Sequence, residues 1–265
     1  LILWNPYLGG FLCFNAFQAG DTLAYILLLV AFEAVIRRQF LLLSTSLLIG
    51  SFVRETPLLI IPAVLLAPNI ATRDRTRYAL AAIPALVSLF ALRMFIPVSN
   101  PDWSILSTLW SYAPDVFSLE RWVRLGISAF APLSLLLLLM PLRYTFHLRE
   151  ATPAHLLVVL IFAASFLGGD AERLVSPALF FLLIIFREQL SLLLLSRRFG
   201  ILLAFAVLIC SNHFLFHAHP LMTREWYYGS SMILSIIVAV AGYMTMKRHV
   251  GTNEEAHYGG DEQPA

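Results

Sequence analysis

Apolar residues run along this chain in long unbroken blocks, and the polar residues gather at the joints between them. A helix that spans a bilayer needs ~20 consecutive, mainly apolar residues, because only a helix satisfies its own backbone groups in hydrocarbon. On that criterion Tyr78–Ile96, Val123–Leu142, Leu174–Leu195, Phe199–Phe216 and Tyr227–Met246 read as spans, with Thr22–Ile36 and His155–Leu167 as shorter apolar segments. The block Phe40–Ala67 behaves differently. A single helix of that length would run to roughly 42 Å, too long for a ~30 Å core, and Arg54-Glu55-Thr56-Pro57 interrupts its middle. It reads either as one long broken helix or as two short arms meeting near Arg54.

Charge decides between the two. With two arms, the joints carrying Arg37/Arg38, Arg73/Arg75/Arg77, Arg143/Arg149, Arg187/Arg197/Arg198 and Lys247/Arg248 all fall on one side. Arg54, Arg121, Arg124, Arg173 and Arg224 fall on the other, with Arg93 inside a helix. A single span would flip every later joint and blur that asymmetry, so the positive-inside rule favours two arms. The expected fold is therefore an all-α polytopic integral membrane bundle of about nine membrane segments, multi-pass, with the basic loops and the C-terminus cytoplasmic. Residues 1–20 read as the end of a truncated hydrophobic segment, 21–248 as the transmembrane domain and 249–265 as a disordered cytoplasmic tail. The connection 97–124 alternates Trp103, Trp110, Tyr112 and Trp122 with acidic and basic residues, as an outer interfacial helix does.

Composition agrees. Of 265 residues 59% are hydrophobic and 13% charged, and the mean hydropathy is +0.79, which excludes a water-soluble globule with a polar shell. A formal net charge of +2 leaves no basic footprint for nucleic acid. Cys13 and Cys210 lie far apart in apolar runs and read as packing residues. No charged n-region with a cleavage site opens the chain, and the expectation is that it is a fragment of a longer protein.

In a chain so poor in charge, ionisable groups within membrane segments become functional candidates. Asp21 opens a helix, Arg54-Glu55 joins the two arms, and Asp170, Glu172 and Arg173 sit in the turn before Leu174; all are expected on the non-cytoplasmic side. Each also has a plain structural explanation: Asp21 is a good N-cap, Pro57 an ordinary first-turn proline, and the 170–173 turn is equally suited to solvent. Arg54 and Glu55 are adjacent and so point in different directions, which gives each a reason to have a partner elsewhere. Arg93 reads as a snorkelling side chain and Arg187/Glu188 as a local pair. His213 and His217, spaced i,i+4 with no adjoining carboxylate, read with His219 as an interfacial collar, and no metal ligands are assigned. No cofactor is expected, with a divalent cation left open.

The strings GDTLAYILLLVAFEAVIRR, SFVRETPLLIIPAVLL and GGDAERLVSPALFFLLI together resemble the central and C-terminal membrane portion of the large GT-C class glycosyltransferases, over Asn5–Phe186. The resemblance implies a polyprenyl-phosphate-linked sugar as donor, on the outer face of the bacterial inner membrane or the lumenal face of the endoplasmic reticulum. In that family the decisive acid lies after the first membrane helix, so the main base would lie outside these residues. What the resemblance carries over is Arg54 and Arg173 as arginines on the lipid-linked phosphate. Asp21, Asp170 and Glu172 would be acids around the donor cavity, Asp170 and Glu172 in a supporting catalytic role and Glu55 beside the substrate. The expected partners are the bilayer and the lipid-linked sugar. Two other functions fit the residues: a non-catalytic membrane scaffold or assembly subunit, in which the charges are caps and pairs, and a secondary transporter, in which Glu33, Arg54 and Arg93 line a midplane pathway.

Overall fold

The computed structural model of the protein describes residues 19–95, 118–139, 152–165, 174–211 and 224–258, and every regular element among them is helical. In chain order these are α1 (Ala19–Ile36), α2 (Phe40–Val53), a 3-10 turn (Thr56–Leu59) running into α3 (Ile60–Leu66), α4 (Thr72–Phe95), α5 (Leu119–Phe130), α6 (Ser134–Leu139), α7 (Pro153–Ser165), α8 (Ala178–Ile185), α9 (Arg187–Leu195), α10 (Arg197–Ser211) and α11 (Arg224–Tyr258). They divide into two compact units. One takes the described residues within Tyr7–Leu125 and Phe146–Ile185, the other those within Gly126–Thr145 and Phe186–Ala265.

In the first unit the chain reverses at every joint from α1 to α4. The α1 helix ends in a Schellman motif: Gln39 N–H donates to the Ala34 carbonyl at 2.8 Å, and Arg38 N–H to that of Val35 at 3.1 Å. Arg38 occupies the left-handed position of that motif, at φ 55°, a conformation that costs an L side chain about 1–2 kcal/mol and that glycine adopts freely. The break expected in Phe40–Ala67 is present, and two arms meet there. Carried on through Pro57, the helix would lose the N–H that bonds the Val53 carbonyl and set the proline ring against it. Instead Arg54 is extended, at φ −169° and ψ 155°, and Pro57 opens the second arm in the first turn.

Gly50 makes the reversal tight. A β-carbon there would lie 2.9 Å from both Cβ and Cγ of Pro57, a rigid ring with no rotamer to yield. Gly50→Ala should therefore lower unfolding stability by about 1–3 kcal/mol through overpacking. Thermal melting of the detergent-solubilised variant checks this, and a wild-type melting temperature would refute it.

Side-chain contacts fix which ends share a pole. Tyr78, early in α4, donates through its hydroxyl to the Val35 carbonyl at 2.9 Å; Arg75 donates to the Ala67 carbonyl at 2.7 Å; Arg38 lies 3.7 Å from Asp74. At the opposite pole, Arg54 reaches back to Asp21 in α1, and Arg93, late in α4, reaches Glu55. Between the poles the helices meet through small residues. Ala24, Ala31, Ala34, Ala63, Ala82 and Ala85 are fully buried, which lets backbones approach as they do where lipid supplies no hydrophobic drive between helices. The α8 helix closes on α1 through aromatics, Phe180 beside Tyr25 and Leu29, and Phe181 edge-on to Phe32 with ring centroids 5.1 Å apart. Outward, Leu80, Ile83, Val87, Phe90 and Met94 form an exposed apolar stripe along α4, a surface suited to hydrocarbon.

In the second unit α6, α9, α10 and α11 pack around Leu136, Leu193, Phe199 and Leu203. Ser134 and Ser235 share a buried hydrogen bond at 3.0 Å, and Ser235 returns its proton to the Ser231 carbonyl at 2.7 Å. Cys210 is buried here, in the packing role expected of it.

Several expected spans are not continuous helices. Val123–Leu142 is interrupted after Phe130, where Pro132 cannot carry the ladder on, so α5 and α6 are separate. Leu174–Leu195 is divided at Phe186, just before the polar run Arg187-Glu188-Gln189. Conversely α11 continues to Tyr258, past His249, where a disordered tail was expected. Among the described residues two helical stretches, Thr72–Phe95 and Tyr228–Lys247, are long and apolar enough to cross a membrane, or three if Ala178–Ile185 and Arg187–Leu195 form one broken span. Phe40–Val53, Thr56–Leu66 and Pro153–Ser165 are apolar but shorter. The expectation of about nine membrane segments is not supported; among the described residues the protein is all-helical, with two or three helices long and apolar enough to cross a membrane.

Candidate functional site

The α2–α3 break gathers two ion pairs at one pole of the first unit. Because Arg54 and Glu55 are consecutive and Arg54 is extended, their side chains leave the chain in different directions, and each finds its own partner. Arg54 forms an ion pair with Asp21; the Asp21 side chain is 5% exposed and that of Arg54 29%. Asp21 is thus more than a helix cap. It lies in the first turn of α1, where a carboxylate is also favoured by the helix dipole, and it is buried against a guanidinium from another element. Glu55 pairs with Arg93, and this second pair is open, with side-chain exposures of 49% and 58%.

The two pairs differ in energetic character. A buried carboxylate is tolerable only while its cation is present, so Asp21 and Arg54 depend on each other. An open pair such as Glu55–Arg93 contributes about 0–1 kcal/mol and leaves both groups free to exchange partners for a ligand. Two guanidiniums at one pole, one held against a buried carboxylate and one exposed, can take a dianionic phosphate, and the nearby carboxylates can accept a proton. Beside Asp21, the buried Thr22 hydroxyl has no hydrogen-bond partner among the described residues.

Of the residues singled out from sequence, Asp21, Arg54 and Glu55 come together here; Asp170, Glu172 and Arg173 lie outside the described residues, as do His213, His217 and His219. Arg93 is the addition. It does not simply snorkel; it is bound to Glu55, a contact between residues 38 apart that the reversals at Arg54 and between α3 and α4 make available. Glu33, by contrast, pairs with Arg37 one helical turn on, at the other pole from Arg54 and Arg93, so the charges proposed for a transport pathway are divided between the two ends. Arg187 and Glu188 lie 4.0 Å apart as the expected local pair. Trp122, from the connection read as interfacial, stacks on Phe162 of α7 with centroids 6.2 Å apart.

Comparison with protein-family models, with curated proteins and with solved structures gives no match to this chain.

Proposed function

We propose that this is a membrane-embedded, GT-C-like glycosyltransferase, or the later portion of one, that receives a polyprenyl-phosphate-linked sugar at the Arg54 pole. A single observation carries the reading: Asp21 from α1, Arg54 and Glu55 from the α2–α3 joint and Arg93 from α4 gather as two ion pairs at one pole of the first unit. A lipid-linked sugar phosphate asks for that combination, guanidinium for phosphate beside apolar surface for the prenyl tail. In an inverting transfer the acceptor oxygen bonds to the anomeric carbon, the bond from that carbon to the phosphate oxygen breaks, and polyprenyl phosphate leaves with the electron pair. The hydroxyl proton passes to a carboxylate. Arg54 and Arg93 would hold the phosphate as its charge grows. The acids Asp170 and Glu172, with Arg173, would serve from the segment that precedes α8 in the chain, and the main base would come from outside these residues. The shorter apolar helices would then be part-depth membrane segments, with the Arg38 pole cytoplasmic.

A second reading, a non-catalytic scaffold, is favoured by the Asp21–Arg54 pair, since a buried, mutually satisfied pair explains itself. Arg93→Gln separates the two. The open pair adds little stability, so the variant should melt like the wild type. A lost charge-assisted contact to phosphate, about 1.5–3 kcal/mol, should weaken binding of undecaprenyl phosphate roughly 10- to 100-fold in a detergent-phase titration. Wild-type affinity in Arg93→Gln would refute the phosphate role; no binding by the wild type would favour the scaffold.

A further inference from the structure

The pole opposite Arg54 has a different charge balance. There the α1–α2 turn and the start of α4 bring together Arg37, Arg38, Arg73, Arg75 and Arg77 with two carboxylates of the same elements, Glu33 and Asp74, among the described residues. At the Arg54 pole two cations meet two anions and are paired off.

Three features set these arginines apart from a merely solvated charge run. Two guanidiniums are held in place by uncharged groups: Arg75 donates to the Ala67 carbonyl, and Arg77 lies 5.5 Å over the Phe40 ring. Among the described residues no carboxylate pairs with either guanidinium, and the Nε of Arg75 is buried with no hydrogen-bond partner there. Arg38 stands in the left-handed position where glycine would be unstrained, so the backbone gives no reason for an arginine, while its side chain is 72% exposed and only loosely paired with Asp74. Finally, large apolar side chains emerge at the same joints, Ile36 and Leu41 beside the α1–α2 turn and Leu66 and Leu80 beside the α3–α4 turn, Leu41 being 83% exposed. A free anion would satisfy the arginines and leave that rim in water.

We infer that the Arg38 pole is a binding site for an anionic phospholipid, its headgroup phosphate taken by Arg38, Arg75 and Arg77 and its acyl chains lying along the exposed residues of the flanking turns. Basic clusters at helix ends beside apolar surface recognise such headgroups through charge and hydrogen bonding together. The site is separate from the Arg54 pole and does not depend on the transferase reading.

The full chain, purified in a neutral detergent, is melted with added phosphatidylglycerol, phosphatidylcholine or inorganic phosphate. Phosphatidylglycerol should raise the melting temperature by several degrees, and the other two should not. Arg38→Gly should melt at or above the wild-type temperature without lipid, because the strain is relieved, yet keep less than half of the phosphatidylglycerol shift. Arg77→Gln should lose shift similarly, and Arg187→Gln, an exposed arginine of the other unit, should retain it. Equal shifts from the two lipids, an equal shift from inorganic phosphate, or a full shift in both Arg38→Gly and Arg77→Gln would each overturn the site.

Discussion

Arg54→Ala is expected to cost about 3–5 kcal/mol of folding stability, a large share of a typical margin, because it strands the Asp21 carboxylate in an apolar environment. The guanidinium itself is not worth that much; most of the loss is the desolvation of the partner left behind. A double-mutant cycle makes the distinction. Asp21→Ala in the Arg54→Ala background should recover part of the loss, so that the two changes together cost less than the sum of each alone. Equilibrium unfolding in mixed micelles measures all four corners, and strict additivity would mean that the pair contributes no coupling. There is a practical consequence for functional work. Loss of activity in Arg54→Ala would not distinguish a substrate contact from a damaged fold, which is why Arg93, in the open pair, is the cleaner probe.

Phe181→Ala should be similarly costly, about 3–5 kcal/mol, for a reason with no electrostatics in it. Phe181 is fully buried and meets Phe32 edge-to-face across the α1–α8 seam. Truncation removes the ring contact and leaves a void lined by side chains that cannot collapse into it, since neighbouring Phe180 is already committed to Tyr25. Phe181→Leu, which refills most of the space, should recover more than half of the loss. If the alanine variant unfolded within 1 kcal/mol of the wild type, the seam would be an incidental contact rather than what holds α8 against α1.

Which of these features the sequence announces depends on how local their cause is. The break at Arg54 was legible because Pro57 has no N–H to offer a helix, and with that break the joints carrying Arg38 and Arg75 fall at one pole and Arg54 at the other. The break before Pro132 has the same local cause but sits in a block whose apolarity runs on unbroken, and hydropathy alone joins the two halves. The division at Phe186 likewise disappears into a long hydrophobic average. Nothing in Arg37-Arg38-Gln39 marks the middle residue for a left-handed turn, a place where glycine is the usual signal. Of the site, adjacency alone required Arg54 and Glu55 to look for separate partners. It could not name them, because a partner is a property of packing: Arg93 meets Glu55 only after two chain reversals bring the end of α4 to that pole.

The reversal at Gly50 and Pro57 has a further physical result. An arm of 14 residues rises about 21 Å, and the second arm is shorter still, against a hydrocarbon layer of ~30 Å. Glu55 at the tip of the hairpin meets Arg93 near the end of α4, and Phe40 at its base lies under Arg77, so the arms match only the stretch of α4 between those two residues. In a bilayer, arms that short would draw the leaflets together around this face, and hydrophobic mismatch would favour a thin membrane. The two residues that turn the chain would then also set the membrane thickness that suits it.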